Sequence, residues 1–103
     1  MNYRAMAASI ADELTEHPER WARGWFAYSK DGYKVDPSSR FACSWCLVGD
    51  IRRRHERDLC GYEETIPFGF RSANEIANWN DAKERTVHDI IDLCSRVANS
   101  VQP

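Results

Sequence analysis

The sequence predicts a small, mainly α domain of about four helices with one short β-hairpin. Three observations point there. Apolar residues recur at helical spacing near both ends of the chain. Asp31-Gly32, a dipeptide suited to a tight hairpin turn, sits between two short aromatic runs. Two capping-box patterns, Ser72-Ala73-Asn74-Glu75 and Thr86-Val87-His88-Asp89, mark helix starts. The 103 residues suit a single domain over 1–103, able to bury roughly two-thirds of its unfolded surface. With 43% hydrophobic and 12% aromatic residues, the chain has enough apolar material for a packed core.

The elements follow in order. Tyr3, Met6, Ala7, Ile10, Ala11 and Leu14 share one helical face, so a first helix is expected over Tyr3 to Glu16, with Asn2 as its N-cap. Pro18 stops that helix and suits the first position of a short turn holding Trp21. Trp25 to Lys30 and Tyr33 to Val35 flank Asp31-Gly32 and predict the hairpin, which is marginal unless it lies against helices. Asp36-Pro37 predicts a turn and Ser39 an N-cap, opening a central helix over about Arg40 to Arg57. Its Phe41, Ala42, Trp45, Cys46, Val48 and Gly49 cover more than half of the circumference, and only the turns from Arg52 onward should face water. Asp58 to Arg71 reads as loop. Ser72 then caps a short helix ending near Trp79. Val87, Ile90, Ile91, Cys94, Val97, Ala98 and Val101 follow helical spacing for the last one.

Composition narrows the function classes. A net charge of -2 argues against a general nucleic-acid or membrane-surface binder. Residues 1–57 hold ten Lys/Arg and eight Asp/Glu, while 58–103 hold four and eight, an asymmetry too mild to name a partner. No stretch is long and apolar enough to suggest a signal peptide or a bilayer span, so a cytoplasmic address is expected, with reduced thiols.

Two tryptophan motifs stand out: Ser44-Trp45-Cys46-Leu47-Val48-Gly49 and Ile76-Ala77-Asn78-Trp79-Asn80-Asp81. Trp-Cys-Leu-x-Gly follows the Asp-Gly and Asp-Pro turns and precedes Ile-Ala-x-Trp-Asn-Asp and Arg85-Thr86-Val87. Over about Trp25 to Ala98 this arrangement resembles an uncharacterised family (domain of unknown function 6197) of bacteria, especially actinobacteria, and their phages. The resemblance implies a shared core or site at the motif positions and a phage or mobile-element origin. It supplies no substrate, cofactor or catalytic residue. Members usually carry alanine after the glycine, where this chain has Asp50.

Each chemically suggestive residue has a structural reading beside its functional one. Cys43-x-x-Cys46 has the spacing of a redox pair, but its predicted place inside an apolar helix suits core thiols. A zinc site could draw on Cys43, Cys46 and Cys60 with His55, His88 or Cys94, yet lacks a second knuckle. Cys46 with His88, oriented by Asp81 or Asp89, would make a nucleophile and base. Trp79-Asn80-Asp81 with Arg85 reads either as an Asx-type turn between helices or as a polar cluster beside a pocket floored by Trp79. Arg52, Arg53 and Arg54, extended by Arg20 and Arg23, could grip an acidic surface. Phe68 and Phe70 either plug one end of the bundle or form an apolar patch. The expectation is therefore a non-enzymatic intracellular protein that modulates or inhibits a host or defence protein by direct contact. Its binding residues would be drawn from Arg52, Arg53, Arg54, Phe68, Phe70, Trp79, Asn80, Asp81 and Arg85. A protein partner or a second copy of the chain is expected, with no nucleic acid, membrane or cofactor. The alternative is a small enzyme or ligand-binding domain using the Trp79-Asn80-Asp81 turn, or a zinc-stabilised module.

Overall fold

A computed structural model describes residues 3–55 and 68–100. Among them the chain is mainly α, with four helices and one two-stranded antiparallel sheet. Helix α1 (Tyr3–Glu16) buries Met6, Ala7, Ile10, Ala11 and Leu14, the face its spacing predicts. A 3-10 turn over Pro18–Arg20 follows, with Trp21 just past its end. Strand β1 is Ala27–Ser29 and β2 is Ala42–Trp45. Helix α2 runs Leu47–His55, α3 Ala73–Asn80 and α4 Val87–Ala98.

Both capping predictions fall at helix starts. Ser72 accepts from the Glu75 N–H, although the Glu75 carboxylate reaches the Arg71 N–H instead of closing on Ser72. Thr86 and Asp89 form the full reciprocal box. Helix α4 lies along α1, and Ile90, Cys94 and Val97 join the α1 face in one apolar cluster with Leu47, Val48, Ile51 and Ile76.

The predicted central helix is corrected at its start. Ser39 does not cap a helix; its hydroxyl accepts from the Phe41 N–H and its carbonyl from the Ala42 N–H, closing a turn. Ala42–Trp45 is strand, paired antiparallel to β1 with Ala27 opposite Trp45 and Tyr28 opposite Ser44. The Asp31-Gly32 turn does form, with Gly32 at φ 87°. Its return segment meets β1 only at the Tyr28–Lys34 bridge, so the paired strands are β1 and β2 instead of the two arms of that turn. Asp36 accepts from the Ser38 N–H, as an Asx turn should.

The helix begins at Leu47 because three local features fix it there. The Cys46 N–H donates to the Phe26 carbonyl, holding residue 46 at the sheet. The Cys46 sulfur accepts from the Gly49 N–H at 3.4 Å, taking the part of a cap. A side chain at Gly49 would collide with the Phe26 carbonyl, its Cβ 2.8 Å from the carbonyl carbon. Glycine at 49 is the condition for α2 to leave the sheet where it does.

Candidate functional site

The two tryptophan motifs meet through one side chain. Asn80, fully buried at the end of α3, uses its amide in four directions. Its Oδ1 accepts from the Trp21 indole N–H at 2.7 Å and from the Leu47 N–H at 3.1 Å. Its Nδ2 donates to the Ala22 carbonyl at 3.0 Å and to Asp81 Oδ1 at 3.0 Å. One amide thus ties the end of α3 to the first turn of α2 and to the strand-like segment at Trp21-Ala22. Every donor and acceptor of the group is used, which is how a buried amide avoids its desolvation cost. Asp81 is exposed and also accepts from the Gly24 N–H at 3.0 Å.

Arg85 completes the turn. Its Nε donates to the Trp79 carbonyl at 2.8 Å, its guanidinium lies 4.1 Å from the Trp79 ring centroid, and it stands 3.9 Å from Asp89. Arg23 donates in turn to the carbonyls of Lys83 and Arg85. Hydrogen bonds from the Thr86 N–H and hydroxyl hold the Asp89 carboxyl below its ordinary range, with Arg85 adding to the effect. Trp79 and Arg85 line an open groove of about 500 Å³ with Asp89, Asp92, Ser95 and Arg96. Asn80 and Asp81 do not line it, since their side chains bond to the Trp21–Gly24 segment. The expected polar cluster is therefore divided: Trp79 and Arg85 at the groove, Asn80 and Asp81 bonded within the fold.

The thiols are placed differently from the expectation. Cys43 is exposed on β2 and donates to the Phe41 carbonyl, whereas Cys46 is buried after the strand. Strand-like spacing over three residues amounts to about 10 Å, beyond the reach of a disulfide in this conformation. Burial pushes the Cys46 thiol up to about 11, although the Gly49 N–H opposes that shift. A nucleophile needs the reverse. His88 is exposed on α4 and is not hydrogen-bonded to Cys46. Cys60 and the His55 side chain lie outside the described residues, and among the described residues no three His, Cys, Asp or Glu side chains gather as a metal site.

The arginine run is not a wet helix end. Arg53 and Arg54 both donate to Glu13 and to Asp50. Arg53 makes those bonds at 2.6 and 2.8 Å, and the Arg54 Nε reaches Asp50 at 2.8 Å. Arg20 reaches the other Glu13 oxygen at 2.7 Å, and Arg54 also bonds Ser9. The Arg53 guanidinium lies 3.6 Å from the Trp45 ring centroid. Asp50, the departure from the alanine expected there, is the buried carboxylate between these two arginines. Phe68 belongs to the core, and Phe70 packs against Trp79 with ring centroids 5.7 Å apart. Phe68 is thus a plug.

Sequence reasoning missed the aromatics that are exposed. Trp25 is 40%, Tyr33 72% and Phe41 60% accessible. Spacing gave no signal, because aromatic residues around a hairpin read as packing against helices. Two of them carry a cation: Lys34 Nζ is 4.8 Å from the Trp25 centroid, and the Arg40 guanidinium 4.9 Å from that of Phe41. No helix among the described residues is long and apolar enough to cross a membrane. Compared with known proteins, the chain matches no family model, no curated protein and no solved structure.

Proposed function

We propose that the chain is a small non-enzymatic binding domain that acts by protein–protein contact, as a modulator or inhibitor of its partner. One observation carries this reading: the polar residues of the tryptophan motifs bond mainly to the fold itself, while three large aromatics stand exposed around the sheet. Exposed aromatic rings flanked by cations are the side chains that anchor interfaces. The contact surface moves accordingly. Arg53, Arg54 and Phe68 serve the fold, and Trp25, Tyr33 and Phe41 become the contact residues. The motif resemblance supports a phage- or mobile-element-encoded protein that meets a host or defence protein inside the cell.

The test is affinity capture with the wild-type chain and with a Trp25→Ala, Tyr33→Ala, Phe41→Ala triple variant. The reading expects one partner held by the wild type, lost in the triple variant, with an unchanged melting temperature. Equal capture by both chains would remove the aromatics from the interface. A second reading, a ligand-binding domain, draws on the Trp79–Arg85 groove and expects a small molecule retained in native mass spectra.

A further inference from the structure

We propose that the end of the sheet where Tyr33, Ser29 and Ala42 lie side by side docks an acidic surface patch of a partner protein, one with an apolar side chain at its centre. The inference rests on the protein-binding reading and names the chemistry of the partner.

Three chain segments meet at that end. The Ser29 N–H donates to the Tyr33 carbonyl at 2.9 Å, and the Ser29 hydroxyl accepts from the Tyr33 N–H at 3.2 Å. Gly32, at φ 87°, lets the chain reverse tightly enough to set these two residues together. On its other side Ser29 pairs with Ala42 of β2. Tyr33 and Ala42 therefore stand about 10 Å apart, two strand spacings, with Lys30, Lys34, Arg40 and Phe41 close by along the chain. Lys30, Tyr33, Lys34, Arg40 and Phe41 are all exposed.

Charge decides the occupant. Lys30, Lys34 and Arg40 form no ion pair among the described residues, whereas Arg20, Arg53, Arg54 and Arg85 each reach a carboxylate. Lys34 and Arg40 instead lie over the exposed rings of Trp25 and Phe41. Asp31 is the one carboxylate in the turn, and the nearby Asp36 already accepts from the Ser38 N–H at 2.8 Å. Exposed rings with uncommitted cations beside them are complementary to an apolar side chain flanked by carboxylates. A protein suits this end better than other anions do. A nucleic-acid base stacking on Phe41 would compete with Arg40 for a face of the ring. An anionic membrane would meet Asp31 at the tip of the turn, on a chain whose net charge is already -2. The Trp79–Arg85 groove has two carboxylates and two arginines in its lining, so it selects no charge in a partner.

The probe is a short peptide in which pairs of glutamates flank a central phenylalanine, with its glutamine counterpart as control. Amide correlation NMR spectra of the full chain locate and titrate the binding together. The acidic peptide should shift the amides of residues 29–34 and 40–42 saturably, and the glutamine peptide should bind roughly ten-fold or more weakly. A Lys30→Glu, Arg40→Glu double variant should show a similar loss at an unchanged melting temperature, since both side chains are exposed. Raising salt from about 50 to about 500 mM should weaken binding. Shifts centred on another part of the fold, equal affinity for the two peptides, an indifferent double variant, or no saturation at millimolar peptide would each overturn the inference. So would tighter binding, through the same amides, of phosphatidylserine vesicles or of oligothymidylate. Where a protein partner is captured through the aromatics equally well by the wild type and the double variant, only the acidic-patch inference falls. Where the wild type captures none, the protein-binding reading falls with it.

Discussion

Asn80 carries the highest stakes of any single side chain described. Asn80→Ala would leave the Trp21 indole N–H, the Leu47 N–H and the Ala22 carbonyl without their partner. An orphaned buried polar group costs about 1–3 kcal/mol, so a loss of at least about 3 kcal/mol is expected in urea unfolding. A loss under 1 kcal/mol would show that water replaces the amide. Gly49→Ala should be comparably severe, because its methyl meets backbone, which cannot swing aside as a side chain would. The outcome to look for is an unfolded or strongly destabilised protein by circular dichroism, despite the higher helix propensity of alanine. Both motifs are conspicuous in the sequence, and the Asx-type turn at Asn80-Asp81 is readable from residue type. The partners of Asn80 are not readable, since Trp21, Ala22 and Leu47 lie far away in sequence and local spacing carries no record of them. Trp45 has a milder place than full burial would give. It is half-buried on β2, with its indole N–H donating to the Pro37 carbonyl at 3.0 Å, so Trp45→Ala should cost less than the roughly 3–5 kcal/mol of a fully buried ring.

Among the elements, α1 follows from periodicity, its expected N-cap Asn2 lying outside the described residues, α3 follows from its Ser72 cap, and α4 from both kinds of signal. Ala42–Trp45 defeats the same reasoning. Its apolar residues fit helical spacing as well as strand, and the deciding contacts are tertiary: pairing to β1, the Phe26 carbonyl under Gly49, and the sulfur cap. The same tertiary contacts bring Arg53 and Arg54 back over α1, where Glu13 joins them. Burial alone would raise the Glu13 carboxyl. The Arg20 hydrogen bond and the charges of Arg53 and Arg54 outweigh it, leaving the carboxyl below its ordinary 4.5. A carboxyl depressed on folding contributes stability that is fully present above about 4.5 and is lost as pH falls through the folded value. Glu13→Gln should therefore destabilise by about 1–3 kcal/mol at neutral pH, with the gap to wild type narrowing as pH falls below 4.5 and through the folded value. Urea midpoints for the two proteins, followed from neutral pH downward, check this. A constant gap would locate the cost in lost packing instead of charge.

For the molecule as a whole, thiol chemistry separates surface from core. Burial pushes Cys46 to about 11 and Cys94 to about 12, whereas Cys43 is exposed. In native conditions near pH 8, Cys43 should react quickly with a thiol reagent, while Cys46 and Cys94 react only through global opening. Peptide mapping after a labelling time course reads this directly. Early modification of Cys94 would mean that α4 detaches from α1 while the rest stays folded.

The pairing of α1 with α4 has a further consequence during synthesis. Met6, Ile10 and Leu14 leave the ribosome long before Ile90, Cys94 and Val97 exist to cover them. At about 5–20 residues per second, the first helix waits several seconds with its apolar stripe uncovered. A nascent chain stalled before Val87 should therefore recruit holding chaperones to its N-terminal segment. Release of those chaperones would coincide with the emergence of the last helix.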